Sequence, residues 1–336
     1  MKVAVLAPVA WRTPPRHYGP WEQVASNIAE GLIKKGIEVT LFATGDSITD
    51  GKLDAVCEKG YEEDRTQDAK VLECLHISNL MEKADQFDLI HNNFDFLPLT
   101  YSGLIKTPLI TTIHGFSSPK IIPVYKKYND KGYYVSISNS DRSPELEYLS
   151  TVYNGLDIRD FTFIEQPEDY LLYFGRIHPD KGTAEAIEIA KKSRRKLLIA
   201  GIIQDEGYYK NKVEPFIDNE HVIYVGHAGP DKRKELLGKA VALLHPISFN
   251  EPFGMSVAEA MLCGTPVIAF NRGSMPELIK DKQTGFLVNT VDEAVEAVNQ
   301  LSSINRKDCY NWASASFSCD KMVDDYYQLY QQILAS

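Results

Sequence analysis

Nowhere does this sequence run apolar for the ~20 residues a helix needs to cross a bilayer, so it does not read as an integral membrane protein, although peripheral attachment through a basic face stays open. Its start, "MKVAVLAPVAWRTPPRHYG", has one lysine and a short apolar run that reaches Trp-Arg-Thr-Pro-Pro without a small-residue cleavage site. It reads as a first β-strand rather than an export signal, and the expected location is cytoplasmic. Five cysteines, Cys57, Cys74, Cys263, Cys309 and Cys319, form no Cys-x-x-Cys pair, which suits reduced thiols and gives no structural metal. Positive charge is also in deficit, 36 Lys and Arg against 46 Asp and Glu, a net charge of −10. That balance opposes nucleic-acid binding, and the strongest basic cluster, "KKSRRK" at 191–196, reads as a solvated helix end. Asp-x-Asp is absent as well, so no metal or other cofactor is expected.

What is present is ordinary globular material, 44% apolar and 24% charged over 336 residues, enough for two domains at roughly 150 residues each. Short β-branched runs alternate with helix-period segments. In the first half the expected strands are "KVAVLAP" from Lys2, "IEVTLFA" from Ile37, "DLIHN" from Asp88, "PLITTIH" from Pro108 and "YYVSIS" from Tyr133. Between the first two, Trp21, Val24, Ala25, Ile28, Ala29, Leu32 and Ile33 recur at three- and four-residue intervals, one buried helix face ended by Gly36. The rhythm restarts with "YLLYFG" at 170, helices from about Thr183 and Glu206, and "KLLIAG", "HVIYVG", "VALLHP" and "PVIAF". Two parallel-sheet cores in succession follow. Turn formers at 154–169 mark the linker, and the apolar periodicity from about Asp320 to Leu334 predicts a packed terminal helix.

Open parallel sheets bind ligands beyond the carboxyl ends of their strands, where helix N-terminal amides point outward. After "YLLYFG" comes "RIHPDKGT", which sets Arg176 and Lys181 five apart on a glycine-flanked loop; they can meet a diphosphate from two directions or simply sit in solvent. In "FNEPFGMSVAE" the Pro-Phe-Gly turn precedes a helix from about Met255, so the amides of Phe253, Gly254, Met255 and Ser256 form an anion site at a helix start. Glu251 before the turn and Glu259 inside the helix suit sugar hydroxyls on either side of that phosphate; the bland alternative is one helix-capping acid and one solvent-facing acid.

"GR" at 175–176, "KG" at 181–182 and the E-x7-E block "EPFGMSVAEAMLCGTPVIA" resemble the retaining glycosyltransferases of family 4, which have the GT-B fold. The likeness continues through "APVAWRTPPRHYG", "VTLFATGDS", "FDLIHNNFDFLPL", "TTIHG", "YVSIS", "VYNGLD" and "GFLV", and is nearest to a short branch that includes UDP-glucose:tetrahydrobiopterin glucosyltransferase. The resemblance implies an α/β chain of two Rossmann-like parallel-sheet domains facing a cleft: 1–160 on the acceptor side, 161–313 for the nucleotide sugar, and a helix from about 314 to 336 crossing back to the first domain near Trp312. It implies a metal-independent hexosyltransferase with UDP-glucose as first-choice donor and a small molecule or glycan as acceptor. Arg176 and Lys181 match the diphosphate pair, Glu259 the acid on the ribose and Glu251 the acid facing the donor sugar. Phe253, Gly254 and Met255 match the turn beside sugar and phosphate, and His114 of "TTIHG" matches a histidine near the sugar. Where the branch often has Tyr-Gly-Gly-x-Glu, this chain reads "HYGPWEQ": Gly19 stays, while Pro20 removes an amide and Trp21 adds a ring. Arg16, His17, Tyr18 and Trp21 then make up an acceptor-side surface. A nucleotide-sugar hydrolase or epimerase of the same fold, or a sensor that binds without turnover, shares these features.

Overall fold

The computed structural model describes residues 1–17, 19–116 and 118–335. The chain divides into two compact units, Met1–Gly155 with Cys319–Ser336, and Leu156–Ser318.

In the first unit β1 (Lys2–Leu6), α1 (Pro20–Lys34), β2 (Glu38–Phe42), β3 (Lys52–Asp54), α2 (Ala69–Met81), β4 (Leu89–Asn92), β5 (Leu109–Ile113), α3 (Ile122–Lys127), β6 (Tyr133–Ser136) and β7 (Ser150–Thr151) succeed one another. The strands form a seven-stranded parallel sheet in the order β3-β2-β1-β4-β5-β6-β7. Successive side chains of a strand face opposite ways, and β1 shows it. Val3, Val5 and Ala7 pack with Val24, Ile28 and Leu32 of α1, whereas Ala4, Leu6 and Val9 pack with Leu72, Ile77 and Leu80 of α2 on the other face. Of the helix face expected between Trp21 and Ile33, Val24, Ala25, Ile28, Ala29 and Leu32 are buried in α1, and its two ends are half-buried. Pro20 opens that helix, a position where its missing amide costs nothing.

The terminal periodicity becomes one helix, Cys319–Ala335, that packs on α1. It carries two buried tyrosines into the unit's core: Tyr330 Oη lies 2.5 Å from His91 Nδ1, His91 Nε2 lies 2.7 Å from Thr112 Oγ1, and Tyr326 Oη lies 2.7 Å from the same hydroxyl. Each polar group taken out of water is thereby paired, the condition for burying it cheaply.

Burial pushes His91 and His114 down to about 3 and His76 to about 4, so these imidazoles are neutral when folded. A histidine whose folded pKa lies below its unfolded value of about 6.5 contributes stability that is complete above pH 6.5 and lost as pH falls toward 3. Two buried carboxyls work the other way: burial raises Glu22 to about 7 and Asp95 to about 6, and Glu73 is raised as well. Three imidazoles against the two most strongly raised carboxyls, Glu22 and Asp95, leave a net slope of at most ~1.4 kcal/mol per pH unit. The first unit should therefore lose on the order of 1–2 kcal/mol between pH 6.5 and 4.5, read from urea midpoints, and His91→Gln should cancel most of that slope.

The second unit runs β8 (Leu171–Phe174), α4 (Thr183–Ser193), β9 (Leu197–Ala200), α5 (Glu206–Tyr208), β10 (Val222–Gly226), α6 (Pro230–Lys239), β11 (Ala242–His245), α7 (Met255–Leu262), β12 (Val267–Phe270), α8 (Met275–Leu278), β13 (Gly285–Val288), α9 (Val291–Asn299) and α10 (Arg306–Ser316). Its six parallel strands lie in the order β10-β9-β8-β11-β12-β13. The helix expected from Glu206 begins as one α-helical turn and continues as a π-helical one at Tyr209–Val213, stopping before Pro215, which cannot continue it.

The segment expected as a linker is not loose. The Leu156 amide donates to Phe317 O at 2.8 Å, Ile164 N to Cys263 O at 3.1 Å, and the Arg306 guanidinium holds the Ile164, Gly238 and Ala240 carbonyls at 2.6–2.9 Å. Residues 156–169 are thus part of the second unit. The chain passes between the units at 155/156 and 318/319. Trp312, expected at the crossing, sits inside α10 and donates its indole N–H to Leu278 O at 2.7 Å.

Candidate functional site

In both sheets the order reverses between two neighbouring strands, β1/β4 in the first unit and β8/β11 in the second. The loops leaving such a pair diverge and open a crevice at the strand ends. In the second unit those loops are 175–182 and 246–254, which carry the residues singled out from the sequence.

The two loops are locked together through backbone. Gly182 has φ 72°, and a Cβ on it would stand 1.9 Å from Pro246 O; only glycine permits this approach. The Ser248 amide donates to Asp180 O at 2.9 Å. Lys181 consequently meets Glu251, its Nζ 2.8 and 2.7 Å from the two carboxylate oxygens, with both side chains largely buried. His245, at the end of β11, brings Nε2 to 3.4 Å from Glu251 Oε2. Burial alone would raise Glu251, yet His245 and Lys181 outweigh it and hold the carboxylate down at about 2. It is ionised at any physiological pH.

The Pro-Phe-Gly turn is braced from outside its own sequence. Ser274 N donates to Glu251 O at 3.0 Å and Ser274 Oγ to Phe253 O at 2.6 Å. A Cβ on Gly273 would lie 2.4 Å from Glu251 N. Gly254, at φ 91°, then starts the eight-residue α7, whose first-turn amides from Met255 and Ser256 have no partner within the helix. Glu259 is buried in α7, 3.3 Å from Arg233 Nη1 of α6; burial raises its pKa and Arg233 opposes the rise. Arg176 does not join the Lys181–Glu251 cluster: its guanidinium bonds Gln204 and lies 3.8 Å from Asp180. His245 and Arg233 were missed in the sequence. The only signal was the histidine closing "VALLHP", a polar residue at the carboxyl end of a buried strand.

In the first unit His114 follows β5, partly buried, with Nε2 3.1 Å from Asn93 Oδ1 and its ring stacked on Trp21 at 5.5 Å and 21°. With Asn93 accepting, Nε2 carries the proton and Nδ1 is an acceptor. Gly19 has φ 151°, and a Cβ there would come within 2.9 Å of Glu22 Oε2. Trp21 and Gly19 line a cavity of about 450 Å³ together with Trp11, Glu22, Phe94 and Asp95. Arg16 lies elsewhere, paired with Glu63 at 2.6 Å and Asp46 at 2.9 Å, and His17 is exposed. Tyr18 falls outside the described residues.

Residues 21–143 match the family described as Glycosyltransferase Family 4, and residues 156–316 match Glycosyl transferases group 1. An uncharacterized glycosyltransferase of Methanocaldococcus jannaschii, MJ1607, is 23% identical over 98% of this chain and 94% of its own length. AviGT4, a glycosyltransferase involved in avilamycin A biosynthesis, superposes with a TM-score of 0.72 at 22% identity, covering 100% of this chain and 98% of that one. Anabaena HepE, solved in complex with UDP, gives a TM-score of 0.70 at 16% identity over 99% and 100% of the two chains. No helix among the described residues is long and apolar enough to cross a membrane. Each unit thus carries a match to a glycosyltransferase model, and its two Rossmann-like parallel sheets in succession give the chain the GT-B fold.

Proposed function

We propose that the chain moves a hexosyl group, glucose in the first instance, from a nucleoside diphosphate sugar to an acceptor hydroxyl, with retention of configuration and without a metal. The supporting observation is the convergence of Lys181, Glu251 and His245 beside the N-terminus of α7, produced by backbone contact between the loops after β8 and β11. The UDP carried by HepE makes UDP-glucose the first donor to try. Departure of the diphosphate develops negative charge on its oxygens. Lys181 and the α7 amides offset it, and Arg176 turns to it from Gln204. Glu251 accepts hydrogen bonds from the sugar's hydroxyls, and Glu259 from the ribose. The C1–oxygen bond to the diphosphate breaks as the acceptor oxygen bonds C1 on the same face, and the acceptor proton passes to the departing diphosphate oxygen. Within the first unit His114 stays neutral and can accept a hydroxyl proton through Nδ1.

The test is a thermal-shift panel of UDP-, GDP- and ADP-sugars followed by product analysis. One nucleotide should raise Tm in proportion to its affinity, and Glu259→Ala should weaken that nucleotide ~10-fold or more, the loss expected when a hydrogen bond to a charged group is removed. A flat panel removes the donor assignment, and hydrolysis at the full rate without acceptor replaces transfer with hydrolysis.

A further inference from the structure

The cavity of the first unit lies at its own switch point, between the loops that leave β1 and β4. At about 450 Å³ it is large enough for a ring compound of one or two rings. Its walls have an unusual charge. Three carboxyls line it, Glu22, Glu73 and Asp95, and among the described residues no lysine, arginine or histidine does. The two arginines of the same loop are committed elsewhere, Arg16 to Asp46 and Glu63 and Arg12 to the Pro14 carbonyl. Each lining acid has a neutral donor and, among the described residues, no cation: Glu22 accepts from the Trp11 amide and its own, Glu73 from Tyr61 Oη at 3.2 Å, and Asp95 from Tyr125 Oη at 2.5 Å. A carboxylate can accept about four hydrogen bonds, so accepting capacity is left over. Between the acids stand the rings of Trp11, Trp21, Phe94 and Phe96.

We propose that this cavity receives the acceptor and selects it by charge, taking an amine-bearing ring compound with a flat or apolar face and rejecting phosphorylated ones. An ammonium entering the cavity satisfies carboxyls that have no other cation and gains from the aromatic faces, which attract positive charge. A phosphate entering it meets carboxyl oxygens and no lining cation to neutralise it, a mismatch of the kind that separates right from wrong partners. Burial holds Glu22 at about 7 and Asp95 at about 6, the direction expected of carboxyls that lack a positive neighbour. The aromatic walls suit the less polar face of a sugar or cyclitol ring.

That the bound compound is then glycosylated rests on the transfer reading above; that it binds does not. Glucosamine, glucose, N-acetylglucosamine and glucosamine 6-phosphate form a series of one shape and different charge, to be titrated into the full chain by calorimetry. Glucosamine should bind at least ~10-fold more tightly than its acetamide, and the 6-phosphate more weakly than glucosamine by a similar factor, the range of close charge pairs at interfaces. Glu73→Gln, which keeps the Tyr61 contact, should erase most of the preference for the amine. Asp95→Asn should do the same without unfolding, because asparagine tolerates the positive φ of 99° found there. Equal affinity for amine and acetamide, tightest binding of the phosphate, or an amine preference unchanged in both variants overturns the proposal. UDP titrated separately keeps the two readings apart: nucleotide binding without amine preference sinks the acceptor assignment alone, and amine preference without binding of any nucleotide sugar sinks the transfer reading alone.

Discussion

Lys181→Ala should lower kcat/KM for the donor by ~10²–10³-fold, the cost of removing one group that stabilises charge developing in a transition state. It should also lower stability by about 2–4 kcal/mol, because Glu251 loses its lysine partner in a largely buried site. These effects have different origins and can be separated. Replacing both members, Lys181→Met with Glu251→Leu, removes the stranded charge and should restore most of the stability while leaving transfer lost. A purely structural ion pair would give back both. The pH dependence offers a second check. Glu251, depressed to about 2 from an ordinary value of 4.5, contributes stability that is full above pH 4.5 and lost as pH falls through 2. In Lys181→Ala the carboxylate loses its lysine partner, so that acid limb should move to higher pH. Urea unfolding between pH 2 and 5 reads the shift directly.

The elements most legible in the sequence were those whose period does the structural work. Buried parallel strands show as short β-branched runs, and α1 shows as a 3.6-residue stripe whose middle, Val24 to Leu32, is its buried face. The edge strands β3 and β7 did not show, since strands of three and two residues at a sheet's margin bury too little to leave a pattern. Residues 156–169 looked like a linker because what orders them is distant: Arg306 reaches back 142 residues to the Ile164 carbonyl, and no local periodicity records such a contact. The site divides the same way. Glu251, Gly254 and Glu259 could be picked out because turn and helix chemistry fix their spacing. Arg176 looked equivalent to Lys181 on its loop, but side-chain direction decided between them, one meeting Glu251 and the other Gln204. His245 and Arg233 act through strand and helix neighbours that only the folded sheet brings into reach.

The glycine between those loops gives the sharpest separation of backbone from side chain. Gly182→Ala adds one methyl group and removes no charge, hydrogen bond or apolar contact. Alanine at φ 72° costs on the order of 1 kcal/mol by itself. A Cβ 1.9 Å from Pro246 O cannot be relieved by a side-chain rotation, since both atoms are fixed to backbone, so the loops must part by about 1 Å or more. Parting them breaks the Ser248 to Asp180 contact and draws Lys181 away from Glu251. The expected loss is above ~4 kcal/mol, among the largest that single substitutions give, with donor affinity falling in any fraction that stays folded. Gly36→Ala is the control. Its φ of 81° is as unfavourable, but a Cβ there meets nothing within 4 Å, so it should cost only the ~1 kcal/mol of strain and leave donor binding unchanged. If chemical denaturation gives the two variants equal losses, the loops are not held by contact at Gly182, and the convergence of Lys181 with Glu251 must have another cause.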